Sequence, residues 1–392
     1  MDGTRILIVG GGMVGAALAV DLGRRGIPVR VLEARPPVMP HPEEPPRLRV
    51  SALNRRSLAY LEEIGAFAGL QADRLAPFDE VMTWDVSGGG RLRFQADELG
   101  LDRLGLFLEN DHLQATLLET ARQLSSVQLD APAPAVDIET TDTGPAVHVQ
   151  GEGRLDPALV VAADGAASPL RDAAGIGVQE GDYDQHAIVA SVDPEPAAER
   201  QTWQRFTPEG PQALLPLAGG AASLVWYVRP ARARELLALT EGDFIRAMED
   251  AMPVELGRIA RLHGRGGFPI RRLHARRYWA GNTVLVGDSA HVIHPLAGQG
   301  VNLGLRDARA LAEEIAEAIR QGLPPGHPPR LAAYERARRP DNHLMQSTMT
   351  AFHVGFTAPL GPLSVVRGWG MGLADRGGWV KRRVLRYALD GQ

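Results

Sequence analysis

The apolar run Ile6-Leu7-Ile8-Val9, followed at once by Gly10-Gly11-Gly12-Met13-Val14-Gly15, constrains this chain more than any other feature. It predicts a buried strand entering a tight turn, and Ala16–Arg25, apolar at helical spacing, predicts the helix that follows. Gly26 suits the position just past that helix, and Pro28–Leu32 reads as a second strand ending at Glu33. Each glycine answers a steric demand: Gly10 the tight turn, Gly12 the approach of a pyrophosphate, Gly15 close helix–strand packing. The helix start at Met13–Ala16 would turn free N–H groups towards phosphate. Glu33, followed by Ala34 and Arg35, stands where an adenosine ribose would be held. A glycine-rich surface turn is the bland alternative, and it leaves the ordered placement unexplained.

At 392 residues the chain has length for two domains, or for one large domain with a subdomain. A formal charge of -5 gives no electrostatic case for nucleic acid. Cysteine is absent, which excludes disulfides, thiolate metal sites and thiol redox catalysis, so redox chemistry needs a bound cofactor. No metal site is read. Lys381 is the sole lysine, so a catalytic lysine elsewhere is excluded. Arg5 before an apolar run imitates a signal peptide, but the turn spacing of the glycines and the charges Asp21, Arg24 and Arg25 argue for a helix. No run of about 18 apolar residues exists to cross a membrane. The expected location is the cytoplasm, with a peripheral position at the inner membrane face as the further option.

Further along, Pro36 to Pro46 reads as an exposed loop, and Arg55–Ile64 as a helix closed by Gly65. Glu80–Val86 and Arg91–Gln95 suggest a hairpin around Gly88-Gly89-Gly90. Asp111–Leu124 and Asp307–Arg320 are expected helices. Ala146–Gln150, Leu155–Ala163 and Thr283–Val286 are expected strands. Between about 180 and 270 the pattern turns β-rich, with strands at Ala187–Val192, Thr202–Phe206, Gln212–Leu217 and Ser223–Val228. The fold class is therefore α/β: a Rossmann-type nucleotide-binding domain with an inserted β-sheet substrate domain and a C-terminal helical segment. The discontinuous nucleotide domain is expected at 1–75, 97–178 and 268–343. The β-rich domain takes 76–96 and 179–267, and the tail 344–392.

The second informative segment is Gly287-Asp288-Ser289-Ala290-His291, running through Pro295 to Gly298-Gln299-Gly300-Val301-Asn302. Asp288 follows an apolar strand, where a carboxylate can accept hydroxyls of a ribityl chain. The helix opening at Gly298-Gln299-Gly300 would point its positive end at the N1/C2 edge of a flavin. An Asp N-cap before an ordinary helix is the plainer reading, and it leaves the small residues from Pro295 to Gly304 unexplained. Read together, the two glycine segments predict FAD, whose ribityl chain and ring need a separate, later site. Asp164-Gly165, ending a third apolar strand, is by itself a common strand-end turn.

These three motifs together resemble the single-component FAD-dependent aromatic hydroxylases with the p-hydroxybenzoate hydroxylase fold. Within that family the chain is most similar to the ubiquinone-biosynthesis hydroxylases, through Tyr183–Ala190, Trp203–Pro211, Leu214–Leu217 and Tyr334–Pro340. The resemblance implies FAD reduced by NADH or NADPH, and a C4a-hydroperoxyflavin that delivers one oxygen atom of O2 to a phenolic or prenylated aromatic ring. It implies that Arg49 reaches the flavin, that Asn110 and Gln114 lie near the ribityl chain, and that Asp164 and Gly165 serve both nucleotides. His294 is the candidate base, or equally a structural hydrogen-bonder. His186, Trp203, Arg205 and Phe206 are expected on the sheet walling the substrate pocket, with core packing the competing reading. Leu215 and Pro216 are expected near the ring, with packing the competing reading. The tail mixes Val365, Val366, Trp369, Met371 and Leu373 with Arg376, Lys381, Arg382, Arg383 and Arg386. It suits a peripheral membrane contact or a biosynthetic complex, or a helix packed on the flavin domain. The alternatives kept open are an aromatic hydroxylase of another pathway and a flavin reductase or dehydrogenase that never oxygenates.

Overall fold

The computed structural model describes residues 6–87, 90–134, 136–141, 144–295 and 300–357. Its eight helices are α1 (Met13–Arg24), α2 (Arg55–Glu63), α3 (Asn110–Arg122), α4 (Pro169–Ala173), α5 (Pro230–Ala238), α6 (Glu241–Ala251), α7 (Gly300–Arg320) and α8 (Pro328–Thr357).

A six-stranded sheet carries the glycine turn. Its order is Trp279–Ala280, Thr283–Leu285, Leu159–Ala162, Ile6–Val9, Val29–Leu32, Val127–Asp130. All neighbours are parallel except the first pair. Parallel strands are covered on both faces, so their residues read as unbroken apolar runs. Ile6, Leu7, Ile8, Leu159, Val160 and Val161 are accordingly all buried, and α1 and α7 pack into the same core.

The second sheet has eight strands, in the order His291–Val292, Arg258–Ala275, Val178–Glu195, Ala222–Val228, Gly210–Pro216, Gln201–Thr207, Glu80–Asp85, Arg91–Gln95. Period-two alternation gives it two different faces. Ile188, Ala190, Leu224 and Trp226 pack with Phe244 and Met248 of α6 and Leu236 of α5. Ala187 and Tyr227 point the other way and cluster with Ile270.

Two helical features depart from the sequence expectations. The stretch read as β-rich, with no helix expected in it, contains α5 and α6, which start where Pro230 occupies the first turn and where the Thr240 hydroxyl accepts the Asp243 N–H at 3.2 Å. The segment from 344 is at first not a separate tail, because α8 runs through Pro340 to Thr357. One face of that helix buries Leu331, Tyr334, Asn342, Met345 and Gln346, and this packing carries the helix past its proline. The tail from 358, with its apolar and basic residues, lies outside the described residues, as do Gly88 and Gly89 of the hairpin. Among the described residues no helix is long and apolar enough to cross a membrane.

Candidate active site

The first glycine turn is shaped by contact. Gly10 has φ +101°, and a Cβ there would lie 2.2 Å from the Ala163 carbonyl oxygen. A Cβ on Gly15 would lie 2.0 Å from the Gly10 carbonyl oxygen. At Gly12 the space is open, with nothing within 4 Å, and the α1 start has no side-chain cap. Uncapped N–H groups beside open space are what a pyrophosphate requires. Glu33 uses part of its carboxylate on the turn itself, accepting the Gly11 N–H at 2.7 Å and the Arg35 N–H at 2.8 Å. Two lone-pair positions remain for ribose hydroxyls. Ala34 and Arg35 are exposed beside it. Gln114 reaches this turn too, donating to the Gly11 carbonyl at 3.0 Å.

The later glycine segment meets the first one directly. Gly287, at φ +60°, and Gly304 of α7 both face the Val14 side chain. Val14 is thus the packing element between the two halves. Asp288, one residue on, is solvent-exposed, yet surrounding protein pushes its carboxyl upward while the His291 and Arg49 charges pull it down. Arg49 is exposed and its charge acts on Asp288, its carbonyl held by the Asn110 N–H at 2.9 Å. The open space at Gly12 and the accessible Asp288 carboxylate fit the two halves of FAD.

Several residues expected at the cofactor also fasten the surrounding structure. Asn302 is buried; it donates to the Ala52 carbonyl at 2.7 Å and accepts from the Asn54 N–H at 3.0 Å and the Ser57 hydroxyl at 2.7 Å. Its side chain ties α7 to the strand after Arg49. Val301 packs in the main core. The Asn110 side chain accepts the Ser51 hydroxyl at 2.6 Å. Asp164 closes its own turn by accepting the Leu170 N–H at 3.3 Å, and burial pushes its carboxyl up. Gly165, at φ +87°, and Gly300 both border open space, Met13 opens α1, and Pro295 is exposed. The Asp164 segment and the later motif are locked together, since Ser289 donates to the Ala162 carbonyl at 2.6 Å and Arg171 to the Ser289 carbonyl at 3.2 Å. Gly298 and Gln299 lie outside the described residues.

On the substrate side, His294 is fully buried between Tyr183, 4.8 Å away in an edge contact, and Tyr227, 5.2 Å away. Tyr183 shares a 2.7 Å hydrogen bond with Thr350 of α8. Burial pushes the Tyr227 phenol well above its ordinary range. Sequence reasoning missed Tyr227, although the alternation Ser223, Val225, Tyr227 carries the signal.

The sheet parity sets four of the substrate-wall candidates on the other face. Trp203 and Arg205 are in register with Leu214 and Gln212, on the α5/α6 face. Trp203 packs 5.6 Å from Trp84, and Arg205 donates to Gln212 at 2.5 Å and to the Ala251 carbonyl of α6. His186 is in register with Val228, and Pro216 alternates with Leu214, on that same far face. A one-residue change of parity moves a side chain through the sheet, and a strand pattern alone leaves that parity open. Leu215 does point to the near face, joining the cluster that takes in Val50 and Ala52. Phe206 alternates away from Arg205.

With this geometry in view, a family model described as FAD binding domain matches residues 3–347. The 3-demethoxyubiquinol 3-hydroxylase of Escherichia coli is 39% identical over 98% of this chain and 98% of its own. Ubiquinone hydroxylase UbiL of Rhodospirillum rubrum is 35% identical over 98% and 89%. The structure of Pseudomonas aeruginosa PqsL in complex with 2-aminobenzoylacetate superposes with a TM-score of 0.76 at 25% identity, covering 94% of this chain and 100% of that one.

Proposed function

Since the chain belongs to the FAD binding domain family and is an FAD-dependent monooxygenase, we propose that it hydroxylates a phenolic, polyprenylated quinone precursor in ubiquinone biosynthesis. Electrons come from NADH or NADPH and the oxygen atom from O2. When bound, FAD supplies the reduced flavin that activates O2 for transfer to an electron-rich ring. The protein binds, orients and excludes water. The α1 start and Gly12 take the pyrophosphate, Glu33 the adenosine ribose and Asp288 the ribityl hydroxyls. Arg49 and the start of α7 bring positive charge to the same site, where negative charge would collect on the ring edge.

The observation that carries the reading is the sheet face on the His294 side. Ala187, Val189, Leu215, Val225 and Tyr227 give an apolar wall with one phenol, next to His294. Such a wall accepts a neutral aromatic ring and keeps water away from it. His294 is the candidate base at this wall; His294→Ala should then lower hydroxylation without releasing FAD.

Purified protein should be yellow, and a short-chain demethoxyubiquinol should accelerate its NAD(P)H oxidation and gain one oxygen. Accelerated oxidation yielding peroxide alone would leave a reductase. Turnover of a ring acid without a prenyl chain, and none of the quinol, would move the enzyme to another pathway. The basic and apolar tail from Val365 to Arg386 is our candidate for peripheral membrane contact. Flotation with anionic liposomes, with and without residues 360–392, tests it; no flotation of either form rejects it.

A further inference from the structure

Beneath the Asp288 turn lies a buried charge cluster in which Asp307, Arg338 and Asn342, outside the flavin motifs, meet Gly287 and His291 of the second one. Asp307 of α7 is fully buried, and four donors meet its carboxylate. The Gly287 N–H at 3.2 Å and His291 Nε2 at 2.5 Å reach Oδ2. Arg338 Nε at 2.8 Å and Asn342 Nδ2 at 3.0 Å, both from α8, reach Oδ1. Burial alone would push this carboxyl up, but His291 and Arg338 outweigh burial and hold it well below the ordinary carboxylate range. A buried, ionised and fully bonded carboxylate is a costly object to retain in a core, and apolar residues of like volume would often serve stability as well.

Its placement gives the reason. Gly287 immediately precedes Asp288, and Asp307 stands two turns into the helix that opens at Gly300. We infer that Asp307 is a positioning residue for the flavin: by fastening the Gly287 amide to α7, it sets the Asp288 carboxylate and the helix start at a fixed separation. Those two groups address the ribityl chain and the ring edge of one cofactor, so a slip between them weakens both contacts. Arg338 and Asn342 fix Asp307 in turn from α8. This inference rests on the FAD reading but on nothing about the substrate.

The decisive protein is the double variant Asp307→Leu/Arg338→Met, which removes both charges and keeps the space filled. It should fold, bind oxidised FAD at least tenfold more weakly, and lose a further tenfold in affinity for reduced FAD. That second loss is a fall of about 30 mV in the two-electron midpoint, the readout a purely structural brace would not move. Wild-type affinity, or weaker binding with an unmoved midpoint, would overturn the inference. Should the double variant not fold, Asp307→Asn, which keeps the size and loses the charge, is put through the same two measurements, and the same outcomes support or overturn the inference. A wild-type chain that takes up no FAD would instead remove the FAD reading itself.

Discussion

Val14 of α1 and Gly304 of α7 touch so closely that a Cβ on Gly304 would stand 2.4 Å from Val14 Cγ2. Gly287 closes the same niche from the other side, 3.1 Å from Val14 by the same measure. Two segments nearly three hundred residues apart are thereby pressed into one binding surface, with the uncapped α1 start and the Asp288 turn flanking the contact. Gly304 lies within a helix, so alanine there would ordinarily gain about 1 kcal/mol of helix propensity. Overpacking costs about 1–3 kcal/mol and acts directly on the cofactor site. The clash should win: Gly304→Ala lowers the melting temperature and releases FAD, and Val14→Ala added to it restores much of both. Unchanged FAD retention in Gly304→Ala would show that the contact yields freely.

Asp288 should trade apoprotein stability for cofactor binding. Its carboxyl is pushed up chiefly by crowding, so the folded apoprotein holds its proton to higher pH than the unfolded chain does. Between the unfolded and folded values the native state binds more protons, and stability falls as pH rises through that window. Asp288→Asn removes the cost. The apo variant should be the more stable protein at pH 7, while its FAD affinity drops because an amide accepts ribityl hydroxyls more weakly. Urea melts of both apoproteins at pH 4 and 7, with FAD titrations, check the two signs separately.

What the sequence disclosed and what it hid divide along physical lines. The tight packing at Gly10 and Gly15 was legible because backbone sterics leave few alternatives there. Trp203 and Arg205 were not, because parity within a strand depends on which face the rest of the fold covers. Asn302 and Asp307 sit in the same glycine-rich stretch as the flavin motif, yet their side chains bond to Ala52 and Ser57 and to Gly287 and Arg338. Those partners lie up to 250 residues away in the chain, and no local pattern announces them. α5 and α6 were hidden by their neighbours, although Pro230 and the Thr240 cap stood in plain view.

His274 predicts an acid limb in the stability profile. It is buried on the long strand Arg258–Ala275, and burial first, then the His291 and His343 charges, depress its pKa from 6.5 to about 4. The unfolded chain therefore takes up a proton that the folded chain refuses. Its contribution is fully present above about pH 6.5 and is lost as pH falls towards 4. The shift corresponds to roughly 3 kcal/mol as an upper bound. His274→Phe keeps the ring and drops the titration, so its unfolding free energy should vary less between pH 7 and 4.5. An equally steep fall in the variant would assign the acid limb to other groups.

The two faces of the eight-stranded sheet should separate cleanly in kinetics. Tyr227 stands on the His294 side, while Arg205 stands on the α6 side, bonded to the Ala251 carbonyl and to Gln212. On the proposed placement of the substrate ring, Tyr227→Ala opens its wall, so KM for the quinol should rise at least tenfold with FAD affinity unchanged. Arg205→Met takes the Arg205 donor from the buried Gln212 Oε1, while the Ala251 carbonyl keeps Gln212 Nε2 at 3.2 Å, and should cost about 1–3 kcal/mol of stability. Its KM should stay at the wild-type value, because a whole sheet thickness separates it from the ring. A raised KM in Arg205→Met with normal stability would reverse the parity assigned to these strands, and would return Trp203 and His186 to the substrate wall with it.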